Sequence, residues 1–229
     1  MEHLLELENI TYYYNSGDKK ISILEDANFA FEKGKLYTIV GPSGSGKTTT
    51  LSIIGGLEKQ KDGVVLFKNK DIREMGYTKY RNSIIGIVFQ SYNLLNYLTP
   101  FKNVMAAMEI TRNEIENKKH RAEEILYRTG LTKDQIHRHI SKLSGGEQQR
   151  VAIARAISTN PDIILADEPT GNLDVDTAKE IISVFKELAN QDGKCVIAVT
   201  HSQEFARLAD VVIQLEHRKL MVSEKEDTI

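Results

Sequence analysis

The sequence predicts an α/β fold: a mixed sheet with helices on both faces, an antiparallel β portion at the N-terminus and a helical insert in the middle. Three observations predict it. Short apolar runs alternate with helical patterns, as strands and crossover helices do in such folds. Leu36-Tyr37-Thr38-Ile39-Val40 runs directly into a glycine-rich loop. From Phe101 to about Thr129 the chain is rich in Glu, Lys, Arg, Met and Ala with few β-branched clusters, which favours helices.

Taken in order, Leu4 to Tyr14 reads as a strand ended by the turn residues Asn15-Ser16-Gly17-Asp18. Ile21 to Phe31 is a second strand, closed by Glu32-Lys33-Gly34, and Leu36 to Val40 a third. A helix opens at Lys47 and runs toward Gly55-Gly56. Val64 to Phe67 lies between two turns, and Ile84 to Phe89 is a further strand. Glu147 to Ser158 extends the helical character of the middle segment. After Pro161 the alternation returns. Ile163-Ile164-Leu165-Ala166 is a strand. Val175 to Gln191 is an amphipathic helix with Ile181, Val184, Phe185 and Leu188 at helical spacing. Cys195 to Thr200 and Val211 to Leu215 are strands. The expected organisation is one domain over 1–229, with a core at about 1–91 and 159–229 and a helical subdomain at about 92–158.

The bulk numbers set limits. The chain has 229 residues, 41% hydrophobic and 27% charged, which is ordinary globular usage with enough apolar content for a sizeable core. A formal net charge of −2 gives no support to broad nucleic-acid binding, which usually needs a basic face, so no nucleic-acid partner is expected. The single Cys195 fits a reducing compartment, and its apolar flanks make it a core residue. The N-terminus has no basic start followed by an apolar run, and no window approaches the roughly 20 apolar residues of a membrane span. The expectation is a cytosolic protein whose membrane role, if it has one, comes through a partner.

Gly41-Pro42-Ser43-Gly44-Ser45-Gly46-Lys47-Thr48 matches the phosphate-binding P-loop pattern, between a predicted strand and a predicted helix. Backbone N–H groups converge on phosphate oxygens only where side chains stay out of the way, hence the glycines. The helix N-terminus adds a favourable dipole. Lys47 brings a cation to the β- and γ-phosphates, Thr48 a hydroxyl to Mg²⁺, and Thr49 a group that reaches the α-phosphate. Ile163 to Ala166 then leads into Asp167-Glu168. An acidic residue at such a strand end supports Mg²⁺ in P-loop NTPases. Alternation along the strand is expected to part the two carboxylates, Asp167 toward the metal through water and Glu168 toward the attacking water.

Leu143-Ser144-Gly145-Gly146-Glu147, followed by Gln148-Gln149-Arg150, is a second anion cradle: free N–H groups, a hydroxyl and a helix dipole. Ser144 with Glu147 also reads as a capping box, and the two readings are compatible. This stretch resembles the signature of the ATP-binding cassette (ABC) family. The remaining elements fall in the order that family requires. Gln90 resembles the Q-loop glutamine, Gly171-Asn172-Leu173-Asp174 the D-loop, His201 the switch histidine, and Tyr14 the aromatic that stacks on adenine. Within the family the chain is most similar to the group containing MacB, LolD and FtsE. The stretches that carry this are Gly41 to Lys47, Ile87-Val88-Phe89-Gln90 with Asn93-Leu94-Leu95, and Leu165 to Asp174. One departure is Glu147, where many members have Gln.

The resemblance implies an ATPase using Mg²⁺ with ATP, with Glu168, His201 and Lys47 as its catalytic residues. Gln90 would contact Mg²⁺ and connect the site to the permease. It implies a head-to-tail homodimer in which the P-loop of one copy faces Leu143 to Glu147 of the other, with Asp174 in the D-loop. It also implies a separate transmembrane permease, with a periplasmic or extracellular adaptor in some relatives, and a place at the cytoplasmic face of the membrane. The apolar, turn-rich stretch Ser91 to Pro100 is the expected docking groove. MacB-like export of peptides, drugs or lipoproteins is the leading function. An FtsE-like or bacitracin-sensor-like mechanical role is the alternative, and a soluble ATPase acting on DNA or ribosomes a more distant one.

Overall fold

The computed structural model describes residues 3–17, 19–111 and 115–223. Asp18, the last residue of the first expected turn, lies outside them, as do residues 1, 2, 112–114 and 224–229. The chain opens with β1 (Leu5–Ser16), β2 (Lys19–Phe31) and β3 (Leu36–Val40), then α1 (Lys47–Ile54), β4 (Asp62–Phe67) and β5 (Lys70–Asp71). Two short helices, α2 (Ile72–Met75) and α3 (Tyr77–Ser83), precede β6 (Ile85–Val88). The helical segment holds α4 (Pro100–Ile110), α5 (Lys118–Arg128), α6 (Lys133–Ile136), a 3₁₀ turn at Ile140–Lys142 and α7 (Gly145–Ile157). The last part is β7 (Ile163–Asp167), α8 (Val175–Asn190), β8 (Cys195–Val199), α9 (Gln203–Leu208), β9 (Val211–Glu216) and β10 (Lys219–Val222).

Two sheets result. A four-stranded antiparallel sheet has the order β2-β1-β4-β5. A six-stranded mixed sheet has the order β10-β9-β3-β8-β7-β6, with only the β9–β10 pair antiparallel. The expected first turn moves outward: Asn15 and Ser16 pair with Lys20 and Lys19, so β1 continues beyond Tyr14.

The parallel strands are apolar on both faces because both are covered. In β8 every residue from Cys195 to Val199 is buried. Alternation splits β7 between two cores. Ile163 and Leu165 pack with Leu5, Ile10, Phe31, Tyr37 and Ile54, between this sheet, α1 and the antiparallel sheet. Ile164 and Ala166 pack with Val104, Ile125, Ile153, Phe185 and Phe205 from the helices on the other side. Each fully buried Ile or Phe contributes about 1.5–3 kcal/mol. Burial pushes the Cys195 thiol well up, so it is an unreactive core group. The helices of the middle segment therefore share a core with the opposite face of the sheet. That fixes α7 relative to the carboxyl ends of β3, β6, β7 and β8, the edge where α/β sheets bind ligands.

Candidate functional site

The phosphate loop leaves β3 at Gly41 and enters α1 at Lys47. Gly46 takes φ +104°, and a Cβ there would lie 2.2 Å from Ile23 Cγ2, so only glycine fits. Gly46 caps α1 with no side-chain hydrogen bond, and no acidic residue stands in the first turn. The orphan N–H groups of that turn are thus left for an anion. Ser45 Oγ is buried without a hydrogen-bond partner among the described residues. Lys47 is 7% exposed, and its Nζ donates to the carbonyls of Gly41 and Pro42 at 3.0 Å each. The ammonium is held against the loop, where a polyanion would draw it. Thr48 Oγ1 donates to Asp167 Oδ1 at 3.1 Å, which joins the start of α1 to the end of β7. Burial raises the Asp167 carboxyl above the usual range, and the Thr48 bond and the nearby Lys47 charge oppose that shift.

The separation of Asp167 from Glu168 has a different origin from the one expected. Strand alternation does not produce it, because β7 ends at Asp167 and Glu168 takes φ +45°. Its N–H still bonds the Val199 carbonyl at 2.9 Å, so the backbone stays with β8 while the left-handed turn redirects the side chain. That conformation costs a non-glycine residue about 1–2 kcal/mol, a strain typical of functional sites. The carboxylate reaches the exit of β8. Oε2 accepts from the His201 N–H at 3.2 Å, and Oε1 stands 3.5 Å from His201 Nε2.

One cleft of about 590 Å³ gathers these elements. Tyr14, Ser43, Gly44, Gly46, Lys47, Thr48, Thr49, Gln90, Glu168 and His201 all line it, from β1, the phosphate loop, α1 and the ends of β6, β7 and β8. Tyr14 is 47% exposed where it lines the cleft. Asp167 lines a smaller apolar pocket of about 100 Å³ on the other side of Thr48. Two lining residues were not singled out from the sequence, Ile23 and Gly171. Gly171 lay inside a noted motif. Ile23 carries no sequence signal, because its role is contact across to Gly46. Gln90 is tied to the same turn: Asn172 Nδ2 donates to the Gln90 carbonyl at 3.5 Å.

The second anion cradle lies elsewhere. Leu143, Ser144, Gly145, Gly146 and Glu147 form the start of α7 and line no part of this cleft. Ser144 is the N-cap and makes a full capping box with Glu147, so α7 begins at Gly145, ahead of the Glu147 start expected. A Cβ on Gly146 would come within 2.4 Å of Thr177 Cγ2 on α8. Asp174 caps α8. Its carboxylate accepts from the Thr177 N–H at 3.0 Å and hydroxyl at 2.7 Å, which holds its pKa below the usual carboxylate range.

The sequence profile described as ABC transporter matches residues 24–171. The ABC transporter ATP-binding protein YclH of Bacillus subtilis is 46% identical over 221 residues, 96% of this chain and 97% of that one. The macrolide export ATP-binding/permease protein MacB of Pasteurella multocida is 39% identical over 95% of this chain, which spans 34% of that larger protein. Among solved structures, the ATP-binding cassette MJ0796 of Methanocaldococcus jannaschii, a dimer in a post-hydrolysis state bound to ADP and Pi, superposes with a TM-score of 0.87. It is 38% identical, and the match covers 97% of this chain and 99% of that chain. A P-loop that faces Glu168 and His201 across one cleft, with Asp167 bonded to Thr48 beside it and these likenesses along almost the whole length, places the chain in the ABC transporter family as an ATP-binding and ATP-hydrolysing cassette.

Proposed function

We propose that the chain drives a transporter whose permease is a separate chain, and that it acts as a head-to-tail pair closed by ATP. The observation that carries this reading is the division of two anion cradles. The uncapped start of α1 opens into the cleft, whereas Ser144 to Gly146 lie outside it. A second copy brings the two together. The dimeric MJ0796 cassette with ADP and Pi supports that arrangement.

In this reading Tyr14 stacks on the adenine and Gly41 to Gly46 wrap the phosphates. Lys47 exchanges its two loop carbonyls for β- and γ-oxygens, Ser45 Oγ gains a partner, and Thr49 reaches the α-phosphate. Thr48, Gln90 and, through water, Asp167 would hold Mg²⁺. These hard oxygen donors, few in number, suit an ion that keeps most of its shell for water and phosphate. When bound, the ion neutralises charge on the phosphates. Glu168 takes the proton of the water that attacks Pγ as the bond to ADP breaks. His201 holds the Glu168 carboxylate and senses the γ-phosphate. Leu143 to Glu147 act from the other copy, with Asp174 at the seam. We read 92–158 as a helical subdomain of this cassette, set into a core of 1–91 and 159–229.

Among the described residues no helix is long and apolar enough to cross a membrane; in this reading the permease spans it and the cassette sits at its cytoplasmic face. The loop after Gln90 suits docking. Leu95 is 39% and Tyr97 73% exposed, and buried Asn103 braces the loop through both the N–H and the carbonyl of Leu95. The likeness to the macrolide exporter supports MacB-like export of peptides, drugs or lipoproteins, with any adaptor on the far side of the membrane. Size-exclusion chromatography of Glu168→Gln with saturating ATP and Mg²⁺ tests the paired state. A dimer is expected, and a monomer contradicts it.

A further inference from the structure

Glu147 places a negative charge at the third position of α7, in the turn that would receive a phosphate. Both its oxygens are engaged. Oε2 accepts from the Ser144 N–H at 2.7 Å, and Oε1 accepts from Gln135 Nε2 at 2.5 Å. Gln135 is the third residue of another capping box, on α6, where its Oε1 accepts from the Thr132 N–H at 2.7 Å. Two capping boxes are therefore linked through one amide and one carboxylate.

Donor and acceptor chemistry fixes the direction of this relay. The Thr132 N–H needs an acceptor, so Gln135 turns its oxygen inward and its NH₂ outward. Outward it needs an acceptor again, and a carboxylate supplies one while keeping its second oxygen for Ser144. A glutamine in place of Glu147 would set a donor against a donor at one of the two ends.

The position matters because a carboxylate and a phosphate compete for the same N–H groups and repel each other. Drawn toward α6, the carboxylate leaves the face of Gly145 and Gly146 to the incoming anion.

We propose that Gln135 is a positioning residue of the shared nucleotide site: it holds the Glu147 carboxylate aside, so that the start of α7 stays open to the γ-phosphate carried by a second copy. The proposal rests on the ATP-closed pair described above.

The test measures the ATP concentration that half-dimerises the Glu168→Gln chain, in a double-mutant cycle of Gln135→Glu and Glu147→Gln. Gln135→Glu alone sets two carboxylates face to face and raises that concentration about tenfold or more. Gln135→Glu with Glu147→Gln reverses the relay. The carboxylate introduced on α6 then accepts both from the amide introduced on α7 and from the Thr132 N–H, which brings the value back to within about threefold of the parent. A defect confined to α6 would persist in the double variant. An unaffected single variant, or a double variant as weak as the single, overturns the relay while the dimer stands. A parent that stays monomeric overturns the dimer, and this proposal with it.

Discussion

The His201 N–H donates to Glu168 Oε2 at 3.2 Å while His201 Nε2 stands 3.5 Å from the other oxygen of the same carboxylate. Backbone and ring of one residue thus bracket the carboxylate that faces the cleft. His201→Ala keeps the backbone bond and loses the ring. Turnover is expected to fall about a hundredfold or more, the scale of a lost acid–base partner, with ATP affinity retained. Steady-state ATPase assays beside a fluorescent-nucleotide titration check this; a wild-type rate would remove His201 from the site.

Gly46 is held open by Ile23. Gly46→Ala brings a Cβ within 2.2 Å of Ile23 Cγ2 at a left-handed φ of +104°, together costing about 2–3 kcal/mol. For a chain of this size that lowers the melting midpoint by about 5 °C, and it abolishes nucleotide binding. Adding Ile23→Ala relieves the overlap but not the dihedral. Recovery in calorimetry is therefore expected to be partial.

Arg155 of α7 donates to the Tyr92 carbonyl at 2.9 Å and to the Asn93 carbonyl, and Tyr92 and Asn93 both take positive φ, 58° and 50°. Burial pushes the guanidinium pKa down. Arg155→Met should cost about 2–3 kcal/mol and loosen the loop that begins at Gln90. Hydrogen exchange would then rise at Ser91 to Leu95 ahead of the sheet; uniform exchange would mean that Arg155 braces the whole fold.

Leu95 and Leu98 test the docking face. Leu95→Glu with Leu98→Glu is expected to abolish co-purification with the permease while ATP binding is retained. An intact complex would put the docking surface elsewhere.

Much of this was legible in the sequence because it is local. The ends of β3 were readable from one apolar run and the glycines after it. The phosphate loop, Asp167, Glu168 and His201 each sit at a strand end, where periodicity stops. What was hidden depends on tertiary contact. β10 returns along β9 through His217 and Arg218, both at positive φ, and neither is a residue that marks a hairpin turn. The helices α2, α3, α6 and α9 are too short for a periodic pattern to register. The left-handed turn at Glu168 accompanies a bond across to Val199 and has no local signal. The tie from Gln135 to Glu147 likewise spans two helices, so the capping box was readable and its external partner was not.

The central claim is that a working site needs the phosphate loop of one copy and the start of α7 of another. Mixing two inactive chains tests it most directly. Lys47→Ala disables the phosphate loop and keeps the cradle; Ser144→Arg keeps the loop and blocks the cradle. A mixed pair contains one site in which both halves are intact. Steady-state ATPase activity that appears only on mixing is the result predicted. A mixture as inactive as its components would contradict the shared site.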